Sequence, residues 1–255
     1  MEAKNSTSVI KKRIRGMLSL AKFKVLSYKT LEKFDPLWIR GKRVALVGSA
    51  DSACKEILGD YIDGFDVVVR LNKGVELVSE RNAPFIGTRT DLLFHCFYEA
   101  KRGGGSPVTL DLWKQKMVGR VVFCYNEKTI PYGPNLRFFY NKYKPKGIRI
   151  ARISLDLSDD NFKKVLPFHP TTGFIALNTL LNCAPAELYV TGMTFFKTPF
   201  MHQYRDGDLD YWKKDIKENG VHDPEIEYQA AKKLYLQHPD VFRPDATLKE
   251  IFDTN

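Results

Sequence analysis

From Gly41 to Glu99 the chain reads GKRVALVGSADSACKEILGDYIDGFDVVVRLNKG and then, past a polar stretch, FIGTRTDLLFHCFYE. The apolar run Val44-Ala45-Leu46-Val47 ends at Gly48 in the small-residue loop Ser49-Ala50-Asp51-Ser52. An amphipathic segment with Ile57, Leu58, Tyr61 and Ile62 follows, and a second run, Asp66-Val67-Val68-Val69, leads into Arg70-Leu71-Asn72. Short β-branched runs flanking a helical pattern read as a βαβ unit with two parallel strands. Ligands of such sheets bind beyond the carboxyl ends of the strands. Gly48-Ser49 and Arg70-Leu71-Asn72 are therefore expected to face one crevice, with a helix start after Asp51 offering N–H groups to a phosphate. The pattern suits a nucleotide. It lacks the third glycine of a dinucleotide fingerprint and the Gly-Lys-Ser/Thr of a P-loop.

The remaining chain extends the same alternation. Leu92 to His95, Val118 to Tyr125 and Arg149 to Leu155 read as further strands. TTGFIALNTLLNC from Thr171 has helical spacing and ends before Pro185, and Glu187 to Gly192 is the next buried strand. Lys101 to Pro107 reads as a flexible loop, Lys197 to Asp223 as a polar active-site loop, and Glu225 to Leu236 as an amphipathic helix. The fold class is α/β, a single Rossmann-like domain with a central, mostly parallel sheet, over residues 41–255.

Residues 1–40 form a basic N-terminal arm, joined by a linker at Pro36–Arg40. Ten Lys/Arg stand there against three acidic residues, so most of the net charge of +10 is concentrated in the arm. Ile10, Ile14, Met17, Leu18 and Val25 recur at spacings that fit one helical face. A basic amphipathic helix reads as a membrane-surface element, so residues 1–33 are expected to meet an anionic membrane. A solvated helix packed on the domain, or a disordered arm, is the plainer alternative. No recognised module accompanies the charge, so nucleic acid is not an expected partner. Cys54, Cys96, Cys124 and Cys183 lack metal spacing and read as reduced thiols, which places the chain in the cytoplasm, peripheral on the inner face of the membrane.

Four segments in chain order resemble the sialylmotifs of the animal-type sialyltransferases. Gly41–Glu99 is similar to the large motif, and HPTTGFIALNTLLNCAPAELYVTGM (His169–Met193) to the small motif. HQY (His202–Tyr204) is similar to the third motif, and HDPEIE (His222–Glu227) to the very small one. The resemblance implies a GT-A-like variant fold and a glycosyltransferase that takes a CMP-activated sugar acid. It implies no metal and no cofactor beyond the donor, and a glycan or glycolipid acceptor. It places donor contacts at Gly48, Ser49, Asn72, Thr171, Thr172 and Gly173. It makes His222 the general base, for which an unperturbed imidazole is suited. His202 would meet the leaving phosphate, and Glu227 would orient the imidazole or cap the last helix.

The chain departs from the family pattern in its first loop. There the family has Gly-Asn-Ser-Gly, whereas here Ser49 takes the place of the Asn and Asp51 adds a carboxylate. Cys183 matches the small-motif cysteine, but Val44 holds its partner's position. No N-terminal membrane anchor is read, and the expectation is a soluble, microbial relative. Sialic acid and Kdo are both CMP-linked sugar acids, so either is an expected donor. In a retaining reaction Asp51 is the candidate nucleophile. A nicotinamide enzyme and a non-catalytic basic binding protein are the rival readings. Outside the motifs, His95 is expected in the core, His169 in a loop and His238 at the surface, and Asp206-Gly207-Asp208 is an ordinary acidic loop.

Overall fold

The computed structural model describes residues 2–99, 105–125, 134–165, 168–205, 208–219 and 222–254. The strands are β1 (Leu31–Lys33), β2 (Arg43–Val47), β3 (Val67–Leu71), β4 (Leu92–His95), β5 (Arg120–Phe123), β6 (Ile150–Arg152), β7 (Glu187–Thr191) and β8 (Phe242–Pro244). The helices are α1 (Glu2–Ser27), α2 (Gly59–Asp63), α3 (Ala83–Ile86), α4 (Leu110–Gln115), α5 (Asn135–Tyr143), α6 (Leu155–Val165), α7 (Thr172–Asn182), α8 (Leu209–Asn219), α9 (Pro224–Gln237) and α10 (Ala246–Asp253). The strands form one open sheet in the order β1-β6-β5-β4-β3-β2-β7-β8, and every pairing described is parallel. The α/β class and the parallel βαβ unit expected from Gly41–Glu99 are borne out.

Both faces of the sheet are covered, which explains the unbroken apolar runs. Val44 and Leu46 of β2 pack in one core with Phe174, Leu177 and Leu180 of α7. Ala45 and Val47 point the other way, into a second core with Ile62, Phe65 and Tyr189. Strand order runs outward from β2 through β3, β4 and β5 on one side and through β7 and β8 on the other. The β2/β7 boundary is thus the point where connections change direction, and a crevice opens there.

Two glycines make that junction. A Cβ at Gly48 would lie 2.1 Å from the Gly192 carbonyl oxygen, and Gly192 itself holds φ +66. The Gly48 N–H donates to Thr191 O and the Ala50 N–H to Gly192 O, so the backbones leaving β2 and β7 touch without side chains between them.

Several expectations are corrected. The segment after β2 is a 3-10 turn (Asp51–Cys54) followed by the short α2, so no α-helix starts at Asp51. Arg70 turns away from the crevice and is buried, donating to Ile86 O, Arg89 O and Thr90 Oγ1. Burial lowers its pKa to about 10, which still leaves it charged at neutral pH. The expected loop from Lys197 to Asp223 contains α8. Pro36–Trp38 is a 3-10 turn rather than a loose linker, with Asp35 Oδ1 accepting from the Leu37 N–H.

The sheet also reaches into the basic arm. Residues 31–33 are its edge strand β1, paired with β6, so the stretch that stands apart from the sheet is α1. The carboxyl-terminal half of α1 docks on α5. Phe23 meets Tyr140 edge-on, Lys22 Nζ donates to Asn141 O, and Asn141 Nδ2 donates to Ser19 O. Ile10, Ile14, Met17 and Leu18 remain exposed. Part of Lys101–Pro107, and Asp206-Gly207, lie outside the described residues.

Gly48→Ala is expected to destabilise the fold by about 1–3 kcal/mol, the usual cost of overpacking, because Gly192 backbone cannot rotate aside as a side chain would. Urea unfolding of the two proteins checks this.

Candidate active site

The crevice encloses about 930 Å³ of empty space, part of it continuous with solvent. Its floor is made of strand exits: Gly48 and Ser49 after β2, Leu71 and Asn72 after β3, Cys96 and Tyr98 after β4, Tyr125 after β5, and Gly192 to Thr194 after β7. Thr171, Thr172 and Gly173 at the start of α7 form one wall, with His222 and Glu227 beside them. Tyr204 and Arg205 also line it.

The amino end of α7 is built to receive an anion. Thr171 is the N-cap, its Oγ1 accepting from the Phe174 N–H at 3.2 Å. The Thr172 and Gly173 N–H groups lie in the first turn, where no intrahelical acceptor exists, and both residues line the crevice. They carry the positive end of the helix dipole. Asn72 sits at φ +46, a conformation asparagine tolerates better than most residues. Its Oδ1 accepts from the Cys96 N–H at 3.1 Å, which leaves its amide NH2 without an acceptor among the described residues.

Glu227 neither orients the imidazole nor caps the last helix. Asp223 is the cap of α9, accepting from the Glu225 and Ile226 N–H groups. Glu227, one turn further, is buried and grips Thr171 twice, accepting from its N–H and its hydroxyl at 2.6 Å each. Burial outweighs these bonds and pushes its pKa up to about 8. The carboxyl therefore spends most of its time protonated at neutral pH, and no full negative charge opposes an anion at α7.

His222 precedes α9. Its Nδ1 lies 2.6 Å from the His169 carbonyl, which accepts only, so Nδ1 carries the proton and Nε2 is the basic nitrogen of the neutral ring. Loss of hydration lowers its pKa to about 4, with the His169 ring and the Arg205 charge acting in the same direction. The ring is uncharged at neutral pH, but well below the unperturbed value expected from sequence.

His202 is exposed on the turn after Met201 and does not line the crevice. Arg205, three residues on, does. Asp51 also lies outside the crevice wall; its N–H donates to Pro199 O, and its Oδ1 is buried without a partner among the described residues. His95 is a core residue, fully buried between Phe97 and Trp113, with its pKa lowered to about 4 by burial. His169 contributes its backbone carbonyl, and His238 caps the carboxyl end of α9 away from the crevice. Asp208 Oδ1 accepts from the Tyr211 N–H at the start of α8. Among the described residues there is no cluster of metal-ligating side chains.

Sequence reading missed the aromatic lining, Tyr98, Tyr125, Phe195, Phe196 and Phe200, and it missed Arg205. The strand exits predicted where the lining should lie. Nothing in the residue types distinguished these aromatics from core residues.

No family model matches the chain. It is 27% identical over 202 residues to the type 2 lactosamine alpha-2,3-sialyltransferase of Rattus norvegicus, covering 70% of this chain and 58% of that protein. The Homo sapiens protein of that name is 28% identical over 222 residues, covering 78% and 64%. The chain thus spans less than two thirds of the length of these relatives. Among solved structures, a mammalian sialyltransferase superposes with TM-score 0.56 at 16% identity, over 89% of this chain and 77% of that one. A sialyltransferase from Campylobacter jejuni in complex with the substrate analogue CMP-3FNeuAc gives TM-score 0.53 at 14% identity, over 84% and 89%. The fold is that of these structures, and the sialyltransferase resemblance read from the sequence is found again by both comparisons.

A pH effect on stability follows from Glu227. The fold keeps a proton that the unfolded chain releases near pH 4.3, so folding takes up a proton between that value and about 8. Stability on this account falls as pH rises through the window and levels above it. His95 and His222, held near 4, act oppositely but only below about pH 6.5. Between pH 6.5 and 8, thermal melts of the wild type should therefore lose stability relative to Glu227→Gln, which cannot titrate. A parallel course of the two curves would show that Glu227 is already ionised.

Proposed function

We propose that this relative of the sialyltransferases is itself a glycosyltransferase, moving a sialic acid or a related ulosonic acid from a CMP-activated donor to a glycan hydroxyl. The observation that carries the reading is one crevice holding both halves of the chemistry. The uncapped N–H groups of α7 suit the anionic donor, and the neutral His222 ring presents Nε2 as a base. The curated relatives are sialyltransferases by name, and a solved relative holds a CMP-linked sugar analogue, which supports this donor class.

In the proposed step the acceptor oxygen attacks the anomeric carbon and its proton passes to His222 Nε2. The bond from that carbon to the phosphate oxygen breaks, and CMP leaves with the electron pair. The His169 carbonyl holds the Nδ1 proton and so fixes the tautomer that can accept. Asn72, Thr172 and Gly173 are the proposed donor contacts. Glu227 acts at one remove, by fixing the α7 cap. A base with a pKa near 4 is weak in the free protein, and a phosphate bound beside it raises that value. Asp51, outside the crevice, gives no support to a retaining double displacement. Sialic acid is favoured over Kdo by the names of the relatives alone.

The test is donor hydrolysis and transfer with CMP-sialic acid and CMP-Kdo side by side, with EDTA present. Turnover of CMP-sialic acid in EDTA is the expected result. Turnover of neither, without thermal stabilisation by CMP, would overturn the reading. His222→Ala should lower kcat by about 10²–10⁴-fold, the usual share of a general base, while CMP still stabilises the fold. Wild-type kcat/KM should stay level from pH 7 to about 5 and fall as His222 protonates near 4.

The proposed acceptor side includes a membrane. Ile10, Ile14, Met17 and Leu18 are exposed on α1 among Lys11, Lys12, Arg13 and Arg15, a combination that favours an anionic lipid surface. No described helix is long and apolar enough to cross a membrane. Removing residues 1–16 spares the α1 contacts with α5 and should weaken sedimentation with phosphatidylserine vesicles, with transfer to a soluble acceptor unchanged. Equal sedimentation would remove the membrane from the account.

A further inference from the structure

His95 does not line the crevice, yet hydrogen bonds tie it to the residues that do. Its ring is fully buried at the end of β4, against Phe97 and Trp113. Both ring nitrogens are engaged. Nδ1 accepts from the Phe97 N–H at 3.0 Å, and Nε2 lies 3.2 Å from the Pro107 carbonyl. An N–H only donates and a carbonyl only accepts, so the ring is neutral with its proton on Nε2. Burial, which lowers its pKa to about 4, keeps it neutral at neutral pH. Phe97 holds φ +50, a left-handed conformation that a residue with a Cβ adopts at a cost. Its N–H is turned into the core, and the imidazole supplies the acceptor that water cannot.

The turn closed by this bond lies between two crevice residues. Cys96 and Tyr98 both line the floor, beside Asn72. The Cys96 N–H donates to Asn72 Oδ1, while Cys96 O accepts from Asn135 Nδ2 and Tyr98 O from the Ser106 N–H. Asn72 is left-handed as well, at φ +46. The exits of the paired strands β3 and β4 thus turn in the same sense and are joined by one side-chain bond.

We propose that His95 is a positioning residue for the donor: by accepting from Phe97 it holds the β4 exit where the Cys96 N–H engages Asn72 Oδ1, so that the Asn72 amide offers its NH2 to the crevice. This rests on the glycosyltransferase reading above, in which Asn72 is a donor contact. An amide side chain has an accepting and a donating end, and the two differ little in shape. The Cys96 N–H can only donate, so it selects the oxygen and leaves the N–H groups for a ligand. The reversed amide would present an oxygen where an anionic donor needs a hydrogen-bond donor. His95 touches neither substrate nor reacting atoms, and it acts through the backbone of Cys96 and Phe97.

The test measures CMP affinity by calorimetry on the full chain, in a double-mutant cycle between His95 and Asn72. Asn72→Ala should itself weaken CMP. His95→Gln keeps a donor for Pro107 but loses the acceptor for Phe97. It is expected to weaken CMP by about fivefold or more in the wild-type background, and by less than about twofold in Asn72→Ala, where no amide remains to be oriented. His95→Asn, whose Oδ1 takes the place of Nδ1, should restore CMP affinity to within about twofold of the wild type. Equal losses in both backgrounds would mark a merely structural residue and overturn the proposal. So would wild-type affinity in His95→Gln, a loss in His95→Asn as large as in His95→Gln, or an Asn72→Ala that binds CMP as the wild type does. If His95→Gln does not fold, ring-nitrogen NMR of the wild type gives the answer. A proton on Nε2 supports the assignment, and one on Nδ1, which could not accept from Phe97, overturns it. A wild type that binds no CMP would overturn the underlying donor reading, and it is recognised before any variant is made.

Discussion

The close passage of Gly48 against Gly192 is the constraint on which the rest of the molecule depends. β2 and β7 are neighbours in register from Arg43↔Glu187 to Val47↔Thr191, and their chains must then part to opposite sides of the sheet. They part without a side chain between them, and the second exit is fixed by Asp245, which accepts from Thr191 Oγ1 and the Gly192 N–H while capping α10. Widening the junction would move the Ser49 carbonyl, which accepts from the Met201 N–H and carries the segment bearing Tyr204 and Arg205. Geometry at one backbone contact is thus tied to the segment that brings Tyr204 and Arg205 to the crevice.

Within that crevice, burial works on two ionisable groups in opposite directions with the same result. Glu227 is raised to about 8 and His222 is lowered to about 4, so both are uncharged near neutrality. Groups whose environments push them apart in this way are common where proton transfer is arranged. Here the effect is also electrostatic housekeeping. With the carboxyl neutral, no full charge there opposes the amino end of α7, whose dipole is favourable to an anion. An ionised Glu227 beside Thr171 would cancel much of it.

The sheet was legible because buried parallel strands are written as continuous apolar runs, and Val44–Val47, Val67–Val69 and Leu188–Val190 are such runs. The α7 start was legible too, since Thr171 is a capping residue ahead of an apolar helical pattern. Local pattern failed where tertiary contacts decide. Ile57 and Ile62 look alike in sequence, yet Ile62 is in the core and Ile57 is exposed beyond a 3-10 turn. Arg70 reads as a crevice residue by its place at a strand exit. The alternation of side chains along β3 sends it to the other face, where backbone carbonyls of residues 86 and 89 receive it. The third short motif led to His202, but a turn directs that side chain to solvent and brings Arg205 inward instead. The role of Glu227 depends on a contact with Thr171, far away in sequence, that no spacing rule encodes.

The order of strands in the sheet carries a consequence for how the chain is made. β2 meets β3 almost as soon as both exist, but its other edge is satisfied only by β7, and β1 must wait for β6. Non-local pairing of this kind is slow to form, because loop closure precedes its reward. On the ribosome, the apolar central strand would carry an unpaired edge until most of the chain has emerged. During that interval it is open to chaperones and to pairing with a neighbouring nascent chain. The crevice, lying on the last central junction to close, exists only in a nearly finished molecule.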